Sequence, residues 1–533
     1  MKITRIPKAI NQRWVHHKSN QRIQNLSLQV TKHQPDPVGA PVIFFNASTR
    51  LQGMSLNAAY SLLTAWSLRL QGVPVIHFVC NQGLPYCMLG SVLNDPLDPP
   101  PCEKCITQSN QLFRNADVVW LNKNSNLTLS QQIENLSIDQ LSIFVYEGVP
   151  LGELVLPAIR WVLRCHHLPE TERNRTLFKR YIMGAFNTAQ QFETLITEKK
   201  PQKVVVFNGM SFPEATARWV ALKHNVPVIT HEVGLMPYTA YFTEGHATAY
   251  PIHIPDDFQL NENQNARLDA YLEKRFKGNF SMAGVRFWPT IKSLSEEFLQ
   301  YTEKYKQIVP VFTNVIFDTS QAHANVVFKH MFDWLDTVLD LIRQNPDTLF
   351  VIRAHPDEAR PGKASRESVA DWAKLRQIED YDNVVFVAAT EYFSSYELIL
   401  KSKFVMIYNS TIGMEATLLG VPVICGGKSR FTQNPTVYFP KSKIEFIKTT
   451  QQFLDSDSVE MPEEFKTNVR RFLYTQLFKV SLPFDDFLEE DRVWQGYVQL
   501  KEFDWEALLP ENSDTLRVLS DGILAGKPMV LDR

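Results

Sequence analysis

The sequence predicts an α/β protein built from two doubly wound parallel-sheet domains, on three observations. The chain has 533 residues, too many for one ordinary hydrophobic core and enough for two or three domains. Short runs rich in Val, Ile and Phe alternate with longer amphipathic segments, the pattern of parallel strands joined by helices. That alternation runs twice, with an interruption between about residues 254 and 306.

In chain order, residues 1–40 form a basic N-terminal extension, with Lys2, Arg5, Lys8, Arg13, Lys18, Arg22 and Lys32 against Asp36. Such a charge balance suits peripheral contact with an anionic membrane face as well as a solvated tail. The first Rossmann-like domain is expected over 41–253. Its strand candidates are Val42–Phe45, Val73–Val79, Ala116–Leu121, Ser142–Tyr146, Lys203–Phe207 and Val226–Thr230. Residues 254–306, polar around ARLDAYLEKRFKG, read as a helical linker.

The second Rossmann-like domain is expected over 307–440, with strands Val309–Asn314, Thr348–Arg353, Asn383–Val387, Lys403–Tyr408 and Val421–Cys425. Between them Phe328, Met331, Phe332, Leu335, Val338 and Leu339 line one helical face. Residues 441–533 read as a helical tail packing across both domains. No repeat of 20–50 residues marks a solenoid or propeller.

A hydrophobic fraction of 44%, a charged fraction of 21% and a net charge of -2 give no reason to expect nucleic acid as a partner. No apolar run approaches the roughly 18 residues that span a bilayer, and the first twenty lack the apolar core of an export signal. A cytoplasmic location is the resulting expectation, with peripheral contact at the inner membrane face. Six cysteines in a chain of this length do not make a disulfide framework.

In an open parallel sheet, ligands bind beyond the carboxyl ends of the strands. In the second half those positions hold Asn314; Arg353 and His355; Asn409, Ser410, Thr411, Gly413 and Glu415. The set is polar, small and partly cationic, as a phosphate and sugar site requires. A capping box does not account for Glu415, because Ile412 stands three residues before it where Ser or Thr is needed. Gly413 is expected to leave room for a ligand.

The segments RAHPDE (353–358) and YNSTIGMEATLLGVPVI (408–424) together resemble bacterial capsule and surface polysaccharide biosynthesis glycosyltransferases of the GT-B fold. The matching positions are Arg353, His355, Pro356, Ser410, Thr411, Gly413, Glu415, Ala416, Gly420, Pro422 and Val423. The resemblance implies two Rossmann-like domains facing a cleft, a nucleotide-sugar donor in the second and a glycan or lipid-linked acceptor at the first. It places Arg353 and His355 near phosphate and Glu415 near ribose, with no cofactor or catalytic metal required.

An inverting reaction needs a base in the acceptor domain. Glu147, beside Gly148, and the pair His231 and Glu232 are the candidates, each read as following a strand. Asn46, Ser48, Arg50 and Asn208 are further polar positions at strand ends. Cys102 and Cys105 have the spacing of half a zinc site, with Cys80 and Cys87 upstream; thiols without metal are the expectation. A nucleotide-sugar 2-epimerase, a CDP-alcohol phosphotransferase of the same fold and a non-catalytic scaffold for polysaccharide assembly are the rival readings.

Overall fold

The computed structural model describes residues 8–47, 53–88, 90, 95–276, 293–362, 364–493 and 496–533. Lys2, Arg5, Ser48 and Arg50 lie outside them. In chain order the strands are β1 (Val42–Asn46), β2 (Val75–Asn81), β3 (Asp117–Asn122), β4 (Lys203–Phe207), β5 (Val228–Val233), β6 (Thr239–Thr243) and β7 (Gln307–Phe312). There follow β8 (Thr348–Arg353), β9 (Val384–Val387), β10 (Val405–Ile407), β11 (Val423–Cys425), β12 (Leu482–Pro483), β13 (Leu488–Glu490) and β14 (Val498–Leu500). The chain divides into two compact units.

The first unit takes the chain up to Val162, Leu168–Thr248 and Leu477–Arg533. Its sheet has the order β12-β6-β5-β4-β1-β2-β3. Strands β5-β4-β1-β2-β3 are parallel, and β6 and β12 extend the edge in antiparallel fashion. Val42, Ile43, Phe44, Val204, Val205 and Val206 are buried, as strands covered on both faces demand. The helix Leu56–Leu70 starts at Ser55, whose side chain accepts the Ala58 amide, and is buried from Ala59 onward.

The N-terminal stretch is no free extension. Residues Lys8–His33 form a helix that buries Ile23, Leu26 and Val30, while Arg22 pairs with Glu489 and Glu502. Nor is the C-terminal stretch one tail: its helices up to Tyr474 belong to the second unit, and residues from Leu477 to the first. The expected linker, as far as it is described, also belongs to the second unit.

Ser142–Tyr146 is not a strand. A short helix, Ile138–Ser142, runs into a tight turn in which Tyr146 bridges Val149. Glu147 (φ 49°) and Gly148 (φ 76°) occupy its two left-handed positions, the geometry of a type I′ turn. Glycine suits the second of these positions, where the left-handed backbone would strain an L side chain.

The second unit carries a fully parallel sheet, β11-β10-β7-β8-β9. Read from β9, the order is third, second, first, fourth, fifth, so the direction of winding reverses between β7 and β10. The helix Met331–Gln344 packs its buried Trp334, Leu335, Val338 and Ile342 inward. Both sheets thus have the expected Rossmann-like winding. Among the described residues no helix is long and apolar enough to cross a membrane.

Candidate functional site

At the carboxyl ends of β7, β8 and β10 the second unit gathers most of the polar residues expected there. Asn314, after β7, donates from Nδ2 to Oδ1 of Asn409, after β10, at 2.7 Å. The same Oδ1 accepts from Gln321 at 3.3 Å, and Asn409 Nδ2 donates to Ser320 Oγ at 3.4 Å. Ser429 Oγ donates to the Asn409 carbonyl at 3.0 Å. Asn409 is therefore a knot that ties three loops across the point of winding reversal. Both asparagines spend much of their hydrogen-bonding capacity on the protein itself.

Arg353 ends β8 and is buried. Its guanidinium donates to the Glu391 carbonyl at 3.3 and 3.4 Å and makes no bond to Glu358 of the same RAHPDE segment. Burial pulls its pKa down to about 10, so it remains cationic at neutral pH. His355 is half-buried and caps the following turn, its Nδ1 accepting the Asp357 amide at 3.2 Å. Burial lowers its pKa, against the opposing charges of Asp357 and Asp318, so the ring is neutral at pH 7.

Ser410 and Thr411 complete the turn after β10. Their hydroxyls make no hydrogen bond to any described side chain or backbone group. These two hydroxyls, with the Arg353 cation, are the chemistry this edge does not consume internally.

Glu415 is occupied. Arg275 Nε donates to its Oε1 at 3.0 Å and Arg275 Nη2 closes on the same oxygen. Tyr396 donates to Oε2 at 2.5 Å. Burial by itself would lower the Arg275 pKa, but the charge of Glu415, with Tyr271 and Tyr396, raises it. Burial, then Glu415, raises that of Tyr396.

Gly413 has a packing cause. A Cβ there would stand 2.5 Å from Ile407 Cδ1 and 3.2 Å from the Phe431 ring, so its lack of a side chain seats the helix Ile412–Leu418 on β10 rather than opening room for a ligand. Gly426 likewise sits 2.4 Å, by the same measure, from the Trp334 indole.

Sequence reasoning missed Arg275, Tyr396 and Glu358. Arg275 ends the helix Glu262–Phe276, where nothing local marks it. Glu358 is buried and accepts the Val369 amide at 3.2 Å. Burial pushes its pKa up to about 8.

In the first unit, His231 and Glu232 do not follow β5 but lie within it, paired with Phe242 and Tyr241 of β6. His231 is buried and stacked on Phe242 at 4.9 Å. Burial lowers its pKa to about 3, which makes it a weak base and a core histidine. Glu232 is half-buried and accepts from Asn208 Nδ2 at 2.6 Å. Glu147 is exposed on its turn. Asn46 reaches His77 at 3.0 Å and Ser61 at 3.1 Å.

The winding of both sheets defines the units as members of the doubly wound Rossmann-like class, and the polar edge of the second lies where such sheets bind ligands. Residues 292–434, which hold the whole five-stranded sheet, match the family described as capsule polysaccharide biosynthesis protein. The resemblance read from RAHPDE and YNSTIGMEATLLGVPVI thus holds over this segment.

The chain is also 27% identical over 232 residues to Protein FixF of Sinorhizobium fredii, covering 42% of this chain and 48% of that one. It therefore spans about half the length of that curated relative. Among solved structures it is similar to the beta Kdo 2,4 transferase of Thermosulfurimonas dismutans KpsC, with 11% identity, a TM-score of 0.35 and coverage of 53% of this chain and 80% of that one. A UDP-GlcNAc 2-epimerase from Neisseria meningitidis gives 13% identity, a TM-score of 0.24 and coverage of 80% and 93%. At these scores neither likeness bears on the chemistry.

Proposed function

We propose that the protein is a glycosyltransferase that moves a sugar from a nucleotide-sugar donor to a surface glycan acceptor, capsular or lipid-linked. The observation that carries this reading is the edge formed by Arg353, His355, Ser410 and Thr411, inside the segment that matches capsule polysaccharide biosynthesis proteins. Arg353 supplies a fixed cation for the donor diphosphate, and the two hydroxyls supply hydrogen bonds to its oxygens. His355, neutral at pH 7, donates a hydrogen bond to the leaving phosphate.

In the transfer, the bond from the anomeric carbon to the phosphate oxygen breaks and a bond to the acceptor oxygen forms. If the centre inverts, the hydroxyl proton passes to a carboxylate of the first unit. Glu232, held at 2.6 Å by Asn208, is the better placed of the two carboxylates, because Glu147 is exposed on a turn. For Glu415 to meet a ribose, its carboxylate must share its bonds to Arg275 and Tyr396.

A thermal-shift screen of UDP, GDP, CDP, CMP and their sugars tests the donor site. A ligand at about 100 times its dissociation constant adds roughly 2.7 kcal/mol to stability, and Ser410→Ala with Thr411→Val should remove most of that gain. No stabilisation by any nucleotide would sink the proposal and favour a scaffold. Epimerised sugar without acceptor would identify an epimerase, and a phosphodiester product a phosphotransferase.

A further inference from the structure

In the first unit the helix Glu214–Lys223 carries an arginine, Arg218, to which no described residue supplies a counter-charge. Arg218 is half-buried, and its Nε is sealed from solvent with no acceptor. Among the described residues nothing forms a hydrogen bond or ion pair with its guanidinium. Glu214, four positions earlier on the same helix, has the spacing that favours pairing with a cation, yet it is buried and engaged elsewhere. Burial lowers the Arg218 pKa and no neighbouring acid raises it; an arginine is still a cation at neutral pH.

The side chain is held at the carboxyl edge of the sheet. Helical side chains lean back toward the helix N-terminus, and this helix starts beyond the end of β4. Gly209, in the turn after β4, lies against the arginine stem: a Cβ there would stand 3.0 Å from Arg218 Cδ and 2.8 Å from Thr230 Cγ2 of β5. Its φ of 76° is a second reason for glycine. The preceding Asn208 locks the turn, its Oδ1 accepting the amides of Met210 at 3.0 Å and Ser211 at 3.2 Å. Its Nδ2 is the group that holds Glu232 at 2.6 Å. One turn thus fixes the candidate base and seats the unpaired cation.

A guanidinium taken partly out of water without an acceptor costs stability. A ligand that offers two oxygens to its parallel N–H groups recovers that cost. Carboxylate and phosphate both present such a pair of oxygens with the matching charge, and a neutral sugar hydroxyl does not. We propose that Arg218 binds an oxyanion, carboxylate or phosphate, of the acceptor and so positions that substrate at the turn that carries Glu232. The acceptor is then acidic, its charge coming from a sugar carboxylate or from the phosphate of a carrier lipid. That the anion belongs to the acceptor rests on the glycosyl-transfer reading; the anion site itself stands on the geometry of the first unit alone. Arg218 binds and orients, and moves no proton.

The test titrates glucuronate, inorganic phosphate and neutral glucose against the melting temperature of the full chain. Glucuronate or phosphate should raise it and glucose should not; a response to glucuronate marks a sugar carboxylate as the source, and a response to phosphate alone marks the carrier lipid. Arg218→Met should weaken the anion response about tenfold or more. It should not lower the melting temperature of the free protein, since it removes an unpaired charge. Nucleotides should still shift the variant, because they report on the second unit; a nucleotide response missing from the wild type refutes the transfer reading, and a missing anion response refutes this one. An anion response equal in wild type and variant overturns the proposal, as does a folded variant that melts well below the wild type. If the variant does not fold, phenylglyoxal labelling of the wild type decides: glucuronate or phosphate should slow modification of Arg218, mapped by mass spectrometry, and unchanged labelling overturns the proposal.

Discussion

Arg275 and Glu415, 140 positions apart in the chain, form a buried ion pair, with Arg275 Nε 3.0 Å from the carboxylate and Tyr396 holding its other oxygen at 2.5 Å. The pair ties the end of the helix Glu262–Phe276 to the first turn of Ile412–Leu418. Removing one partner leaves a buried charge without compensation, which costs about 3–5 kcal/mol. Arg275→Met should lower stability by that amount in urea titrations. The double variant Arg275→Met/Glu415→Leu should recover most of it, and a loss under about 1 kcal/mol in the single variant would refute a tight pair.

Ser410 and Asn409 are neighbours with opposite expected behaviour. Asn409→Ala strands its side-chain partners Asn314 and Gln321 and should cost about 1–3 kcal/mol. Ser410→Ala removes a hydroxyl that no described group uses, so its stability should stay within about 0.5 kcal/mol of wild type. Its nucleotide-induced thermal shift should fall. Equal destabilisation by both substitutions would show that Ser410 is structural.

Glu358 predicts a pH dependence. Its pKa is raised from an ordinary 4.5 to about 8 by burial, so the folded state prefers the neutral acid. The stability this gives is complete below about pH 4.5 and is lost as pH rises through about 8, at about 1.4 kcal/mol for each pH unit between. Glu358→Gln should therefore flatten the fall in stability from about pH 5 to about pH 9. An unchanged slope would mean that the carboxyl ionises freely.

His231→Phe separates a core histidine from a base. General-base catalysis contributes about 10²–10⁴-fold, whereas a buried ring stacked on Phe242 should tolerate phenylalanine. Transfer activity should stay within a few-fold of wild type, and a loss of about 10² or more would restore His231 as the base.

Gly148→Ala probes the turn at Glu147. With φ at 76° and open space around its Cα, the added methyl meets no neighbour, yet the backbone conformation penalises it by about 1 kcal/mol. Glu147→Gln should leave stability unchanged. A larger activity loss in Glu147→Gln than in Glu232→Gln would make the turn carboxylate the base.

The sequence by itself determined the two doubly wound sheets, because each strand is a continuous apolar run and each helix a periodic one, signals that burial imposes locally. It also located Arg353, His355, Ser410 and Thr411, since strand ends can be read once strands are. It misread Ser142–Tyr146, where apolar residues pack a turn instead of a sheet, and it stopped β5 three residues early because His231 and Glu232 look polar. Only the tertiary structure decided that Glu415 faces Arg275, that Gly413 answers to Ile407, and that Asn314 and Asn409 hold each other. Those outcomes depend on contacts between residues far apart in the chain, whose energies no local pattern encodes.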